Sequence, residues 1–296
     1  MQTEASPSPT ISIRSDLFDP AQIDKSVLCI EVAKDRFRFL VLDANRHGCW
    51  LEDYTFSSLL SERPITEALS ALFQQHPLLQ SSDTTQPWQQ VRVSLNSTSF
   101  TLIPTPLFRK EYASSYLSLV RGGALPTHEY AQAYAHEEGF YSVFNVEYAL
   151  SEYFSATYPL QTITFVHQTS ALIRATAAHP QTAQSLCLYF EDEFVTILLR
   201  ADGKLTYCNR FGFKNAQDLT YYVLYVIDEL ALESLSVAIL LYGEITPFAD
   251  TFARLAQFLP HLTFGHTPQG LTLSADFNDL PEHRYLSLYG LALLNG

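Results

Sequence analysis

One order of apolar strands, charged turns and helices occurs twice in this chain, and this repeat constrains the fold more than any other feature. An apolar run around Cys29 is followed by a charged turn, a long apolar strand, a polar turn and a third strand that begins at Cys49. The same features surround Cys187 and Cys208, where the second turn is an Asp-Gly pair, a strong hairpin signal. The pattern predicts a three-stranded meander in each half.

Helical periodicity follows each meander. Apolar residues recur at helical spacing over residues 65–73 in the first half and 219–230 in the second, where Asn215 supplies an N-terminal cap. A short apolar strand comes next in each half, at residues 91–95 and 237–241, and is followed by a helix, a strand and a last helix. The sequence therefore predicts the order βββαβαβα twice, in an α/β fold.

The first half carries an insertion at about residues 96–144, which delays its second helix. We expect Asn145 to cap that helix, and we expect the insertion to hold a strand, a helix and a hairpin. The insertion is also rich in aromatic residues, namely Tyr130, Tyr134, Phe140, Tyr141 and Phe144. These side chains are candidates for anchoring a protein partner or for forming a small core of the insertion, and the sequence leaves both open.

The charge of the chain narrows the classes of partner. Its 296 residues include 31 acidic and 18 basic side chains, for a net charge of −13. Nucleic-acid binding needs clustered Lys and Arg, so we expect no nucleic-acid partner. The amino-terminal segment has no basic start with an apolar core, and no apolar run approaches the roughly 20 residues of a membrane helix. We expect a soluble, cytoplasmic protein without direct membrane insertion.

The repeat also sets the expected domain boundaries. Residues 1–24 should form an N-terminal tail or edge segment that is partly disordered. The first lobe should cover residues 25–180 and the second residues 181–296, with the last helix packing back between the lobes. Each lobe then has its own sheet and helices, as an internal duplication requires.

The duplicated order is similar to that of the actin-like ATPase superfamily, a ribonuclease H-like fold shared by actin, the heat-shock 70 kDa chaperones and hexokinase. Residues 287–293, SLYGLAL, resemble the last helix of its pilus-assembly and cell-division branch. More narrowly, the chain resembles an uncharacterised family of cytoplasmic bacterial proteins, from Bacteroidetes, that has this fold and no assigned function. The resemblance implies two actin-like lobes with a nucleotide cleft between them.

The first hairpin of each lobe in that superfamily carries Asp-x-Gly. Its carboxylate positions Mg²⁺, and its glycine lets backbone N–H groups approach phosphate. In lobe one the corresponding residues are Glu31, Val32 and Ala33. A carboxylate is kept on a longer arm, and Ala33 adds only one methyl group. The resemblance implies a damaged but conceivable phosphate site in lobe one.

Lobe two departs further from the motif. Tyr189 replaces the carboxylate, and Glu191 replaces the glycine and is followed by Asp192 and Glu193. Like charges about 4 Å apart repel by about 4 kcal/mol at an effective dielectric constant near 20, so this turn disfavours a triphosphate. Of the glycine pair that packs on adenosine in the superfamily, only Gly243 remains.

These residues also have plain structural interpretations. The acidic turn at residues 191–193 is a solvated hairpin tip or a metal-binding turn, and Glu31 is an outward strand residue or a paired carboxylate in a cleft. The four cysteines lack CxxC spacing, and His128 and His136 lack the HExxH spacing of a zinc protease. We predict no metal ligand and no catalytic residue.

The sequence thus predicts a non-catalytic, actin-like scaffold or interaction protein with a degenerate nucleotide site. We expect other proteins as partners and no cofactor, and self-association stays open. The alternative is a divergent nucleotide-binding ATPase or kinase-like protein that uses the interlobe cleft, with ATP and Mg²⁺ near Glu31, Asp192 and Gly243. A third interpretation is a binder of another small ligand in that cleft.

Overall fold

The computed structural model describes residues 8–16, 18–56, 64–80, 87–97, 99–159, 161–178, 184–233 and 237–295. The strands are β1 (Ile11–Arg14), β2 (Val27–Val32), β3 (Arg36–Leu42), β4 (His47–Thr55), β5 (Gln90–Leu95), β6 (Phe100–Pro104), β7 (Glu129–His136), β8 (Phe140–Glu147), β9 (Ile163–His167), β10 (Gln184–Phe190), β11 (Phe194–Ala201), β12 (Lys204–Gly212), β13 (Ala238–Gly243), β14 (Leu262–Phe264) and β15 (Thr272–Leu273). The helices are α1 (Ile65–Gln75), α2 (Ala113–Arg121), α3 (Tyr148–Thr157), α4 (Gln168–Ala177), α5 (Ala216–Glu229), α6 (Asp250–Ala256) and α7 (Leu286–Ala292). Residues 1–7, at the start of the predicted tail, lie outside the described residues.

The chain divides into two compact units. Unit one consists of Met1–Ser170, Leu271–Asn278 and Leu294–Gly296, and unit two consists of Ala171–Gly270 and Asp279–Leu293. Two short segments near the carboxyl end of the chain thus belong to unit one.

Unit one is built on a seven-stranded sheet with the order β1-β4-β3-β2-β5-β9, in which β15 also pairs with β4. Strands β2, β3 and β4 pair antiparallel as a meander, whereas β5 and β9 continue the sheet in parallel with β2. Helices α1 and α3 contribute buried apolar side chains to the core of this unit. Because side chains alternate along a strand, Leu28 and Ile30 of β2 face that core and Glu31 faces the other side of the sheet.

Unit two has a five-stranded sheet with the order β12-β11-β10-β13-β14, which matches β4-β3-β2-β5-β9 of unit one position by position. Helix α5 begins at the predicted cap, where Asn215 Oδ1 accepts hydrogen bonds from the N–H groups of Gln217 and Asp218, both at 2.9 Å. The observed order of strands and helices is the predicted one in both halves.

A separate three-stranded sheet with the order β6-β8-β7 follows β5, and α2 packs on it through the buried Leu117. These are the predicted strand, helix and hairpin of the insertion. The prediction that Asn145 caps the next helix is wrong, because this residue lies within β8. Its Oδ1 accepts from the Ser99 N–H at 3.2 Å, and its Nδ2 donates to Glu129 at 3.0 Å.

The aromatic residues of the insertion are mostly packed. Phe144 is fully buried, and Tyr141 stacks on Phe108 with 3.9 Å between ring centroids. Tyr130 and Tyr134 pack against the core of unit one. Phe144, Tyr130 and Tyr134 thus contribute to the core of unit one, whereas the small core of the insertion is built from other residues, among them Leu117 and Val143.

The longest helix among the described residues, α5, has 14 residues, fewer than the roughly 20 that cross a bilayer. The described part of the chain contains no helix that is long and apolar enough to span a membrane.

Candidate functional site

Glu31 lies at the carboxyl end of β2 and is 4% exposed. Arg38, directly opposite it on β3, donates from Nη1 to Glu31 Oε1 at 3.3 Å, and its Nε lies 3.1 Å from Asp53 Oδ2 on β4. The ion pairs Glu31–Arg38 and Arg38–Asp53 thus cross three neighbouring strands. A buried carboxylate requires such compensation, and here the sheet itself supplies it.

Ala33, which follows β2, belongs to the hairpin turn that leads into β3. Its N–H donates to the carbonyl of Arg36 at 2.9 Å and closes the turn. Among the described non-glycine residues, left-handed backbone occurs at Arg46, Asp202 and Ala231, so Ala33 adopts an ordinary conformation. The turn therefore does not need glycine at position 33. The N–H of Ala33 is already used in a hydrogen bond within the hairpin.

Tyr189 lies in β10 and is the residue that the sequence resemblance aligns with the second carboxylate of the nucleotide motif. Its side chain is completely buried, and its hydroxyl lies 2.8 Å from Ser287 Oγ of α7. This position ties β10 to the last helix of unit two and supplies no carboxylate for a metal ion.

The acidic turn after β10 is only partly solvated. Glu191 is half-buried and forms an ion pair with Arg210 of β12, with 3.2 Å between Oε2 and Nη2. The guanidinium of Arg210 also lies over the Phe194 ring, 4.1 Å from its centroid. Asp192 and Glu193 are exposed. Within the described ranges, no group of three or more His, Cys, Asp or Glu side chains is arranged to hold a metal ion.

Gly243 ends β13 with a φ of +85°, and a Cβ at this position would overlap the backbone of Phe190. Its N–H donates to the carbonyl of His283 at 2.9 Å. The next residue, Glu244, forms an ion pair with Arg284 at 3.2 Å. Packing within unit two thus requires a glycine here, whether or not a nucleotide binds.

The sequence prediction named none of the side chains that partner Glu31, Tyr189 and Glu191, which are Arg38, Ser287 and Arg210 respectively. The register of the first hairpin places Arg38 opposite Glu31, so this pair could have been predicted from the sequence. The Glu191–Arg210 contact depends on packing across the sheet, and the Tyr189–Ser287 contact depends on the last helix. No local residue spacing predicts either contact.

A second polar cluster lies in unit one around His136, at the end of β7. Its Nε2 is 2.7 Å from Ser142 Oγ and 3.2 Å from Ser170 Oγ, and Ser170 Oγ donates to Ser142 Oγ at 3.0 Å. Both serines are fully buried. Burial lowers the pKa of His136 to about 4, against a smaller opposing effect of Glu138. The geometry describes a partly buried, neutral histidine bonded to two buried serines.

The chain belongs to the family described as "Protein of unknown function (DUF3822)", which matches residues 15–262. No curated protein matches the chain.

Solved structures share its fold. A protein from Bacteroides thetaiotaomicron VPI-5482, described as having an actin-like ATPase fold and unknown function, aligns with a TM-score of 0.76 and 16% identity over 94% of this chain and 100% of that one. The "PilM-PilN type IV pilus biogenesis complex" aligns with a TM-score of 0.63 and 11% identity over 90% and 97% of the two chains. The ethanolamine utilization protein EutJ from Carboxydothermus hydrogenoformans aligns with a TM-score of 0.51 and 11% identity over 96% and 93%. The predicted actin-like fold and resemblance are confirmed, and identities this low establish the fold alone.

The role of Arg38 is testable by stability. Arg38→Met leaves Glu31 and Asp53 buried without their cation, so the free energy of unfolding should fall by about 3 to 5 kcal/mol. Arg36→Met is the matched control, because Arg36 lies 3.8 Å from the same Asp53 but is 20% exposed, and it should cost about 1 kcal/mol or less. Urea unfolding at neutral pH measures both, and equal losses would contradict the assignment.

The state of His136 is testable by pH. The unfolded chain takes up a proton near pH 6.5 while the folded protein resists it to about pH 4, so the contribution of neutral His136 to stability is present above pH 6.5 and is lost as the pH falls toward 4. His136→Asn should therefore flatten the fall in unfolding free energy between pH 6.5 and 4.

The control for this measurement is His128→Asn, at a side chain that is 70% exposed, and it should keep the slope of the wild type. A slope unchanged by His136→Asn would show that this histidine is not held neutral.

Proposed function

We propose that this protein is a non-catalytic, actin-like scaffold that binds other proteins and whose nucleotide site is degenerate. The observation that carries the proposal is Tyr189. Where the fold would place a metal-positioning carboxylate in the second lobe, a completely buried phenol bonds Ser287. Mg²⁺ takes oxygen ligands, chiefly carboxylates and phosphates, and this side chain offers it no charge.

The neighbouring ion pairs support the same proposal. Glu31 is paired with Arg38 and Glu191 with Arg210, so each carboxylate already has a cation. A bound Mg²⁺ would have to displace a guanidinium, and this lowers the affinity of either position for a nucleotide complex. The matching strand orders of the two units further support an origin by internal duplication.

An exposed apolar surface on the insertion supports protein binding. It consists of Leu107, Tyr112, Leu119 and Val120, which are 68%, 55%, 82% and 57% exposed. Leu119 and Val120 lie on the last turn of α2. Four large, exposed apolar side chains within 14 residues of one insertion make it a candidate contact region for another protein. The PilM–PilN complex, named for pilus biogenesis, shows that one protein of this fold is found in complex with another.

The alternative function, a divergent nucleotide-binding ATPase or kinase-like protein, is favoured by one observation. Glu31 keeps a carboxylate at the carboxyl end of β2, where the superfamily motif has its own. Under this alternative ATP and Mg²⁺ would be the cofactors.

Thermal unfolding with 1 mM Mg-ATP separates the two functions. The scaffold proposal predicts no shift in Tm. A ligand with a Kd of about 10 μM would add about 2.7 kcal/mol at this concentration, which corresponds to several degrees for a chain of this size.

Glu31→Gln serves as the control variant, and magnesium tripolyphosphate as the control ligand. Stabilisation of the wild type by Mg-ATP but not by the tripolyphosphate, and its loss in Glu31→Gln, would establish the alternative and refute the scaffold proposal.

The interaction surface is testable by site-specific crosslinking in cells of the source organism. A photo-reactive amino acid at position 119 should give a discrete adduct with one protein, since Leu119 is the most exposed of these four side chains at 82%. The same amino acid at position 248, where Phe248 is 95% exposed in unit two, is the control. Identical adducts from both positions, or none from position 119, would rule out this surface.

A further inference from the structure

A cavity of about 610 Å³ opens in unit one at the amino ends of β5 and β9. Its wall includes Arg46, Trp88, Gln90, Arg92, Gln161 and Thr162. None of the described residues that line it is acidic, in a chain whose net charge is −13. Its volume lies in the range of small-molecule sites, about 300 to 1,000 Å³.

Arg92 gives the cavity a built cationic group. The residue is 1% exposed, and Gln90 Oε1 accepts from its Nε at 3.1 Å and its Nη2 at 2.8 Å. These bonds fix the plane of the guanidinium. Burial lowers the pKa of Arg92. The positive charge of Arg46 lowers this pKa further, whereas Cys29 raises it. An anion in the cavity would relieve this electrostatic cost.

Arg46 brings a second positive charge to the same cavity from the turn between β3 and β4. Its backbone is left-handed, with a φ of 65°. The turn is held by Asp43, whose Oδ1 accepts from the N–H groups of Asn45 at 2.8 Å and His47 at 2.9 Å. The carboxylate of Asp43 is thus engaged by the turn, and Arg46 is presented at the mouth of the cavity.

Gln161 places a polar acceptor in the same wall. Its Oε1 is buried and has no hydrogen-bond partner among the described residues. A buried amide oxygen without a donor is costly, and a ligand hydroxyl would satisfy it. Thr162 and Gln90 add further polar groups beside it.

We propose that this cavity binds the phosphate monoester of a small hydroxylated molecule, such as a sugar phosphate. Two guanidinium groups match the nearly double negative charge of a phosphate monoester better than they match the single charge of a carboxylate ligand. The planar guanidinium also fits the geometry of phosphate oxygens. Gln161 and Thr162 bind the hydroxyl groups. Side chains, not glycine backbone, hold the phosphate.

This site is separate from the positions that correspond to the superfamily's nucleotide motif. Glu31 lies near the carboxyl end of β2, which pairs in parallel with the carboxyl end of β5, whereas Gln90 and Arg92 lie near the amino end of β5. The outcome of a Mg-ATP experiment therefore does not decide this proposal.

Calorimetric titration at low ionic strength tests the sugar-phosphate proposal. The three probes are glucose 6-phosphate, ribose 5-phosphate and glycerol 3-phosphate, and the control ligands are inorganic phosphate, citrate and glucose. At least one ester should bind more tightly than inorganic phosphate and citrate, glucose should not bind, and added salt should weaken binding. Arg46→Asn, which tolerates the left-handed turn, should lower the affinity at least tenfold. Lys204→Asn, which removes an exposed cation beside the hairpin turn between β11 and β12, is the matched control and should leave it unchanged.

A second variant isolates the hydroxyl contact. Gln161→Leu should weaken the ester and leave the affinity for inorganic phosphate as it was. If none of the three esters exceeds inorganic phosphate, the site holds an adventitious ion only and the proposal is overturned. It is equally overturned if Arg46→Asn and Lys204→Asn bind the esters alike.

Discussion

A carboxylate buried between strands must have a cation beside it, and in this protein arginines supply that cation. Arg38 reaches both Glu31 and Asp53 across three strands of unit one. Arg210 does the same for Glu191 in unit two, and Arg284 for Glu244. Glu31, Glu191 and Glu244 are therefore each held by an arginine of their own unit, whereas Asp192 and Glu193 are exposed. A metal ion at either hairpin would have to compete with a guanidinium that is already in place.

Much of the fold was predictable because the two meanders and their helices have strong periodicity. The cap at Asn215 was also predictable, since a capping residue directly precedes an apolar helical stripe. Asn145 has the same residue type but lies in β8, because pairing with β7 extends this strand to Glu147. A cap signal is therefore dependable only where no neighbouring strand competes for the same backbone groups.

The candidate site was only half predictable. Hairpin register places Arg38 opposite Glu31, seven residues away. By contrast, Tyr189 and Ser287 are 98 residues apart, and their bond forms only because α7 packs on the sheet of unit two. The cavity at Arg92 is likewise lined by the turn between β3 and β4, the start of β5 and the residues before β9. No local sequence pattern predicts it. The chain has 11 glycines, and this scarcity limits phosphate binding by backbone while leaving binding by arginine side chains open.

Equilibrium dialysis of radiolabelled ATP against the full chain, in the presence of excess Mg²⁺, measures the central claim most directly. Local ion pairs and a buried tyrosine at the motif positions predict no saturable binding with a Kd below about 1 mM, a free energy near −4.1 kcal/mol. Saturable binding of one ATP per chain in the micromolar range would contradict the account, because it would show that these pairs open to admit a metal-bound triphosphate.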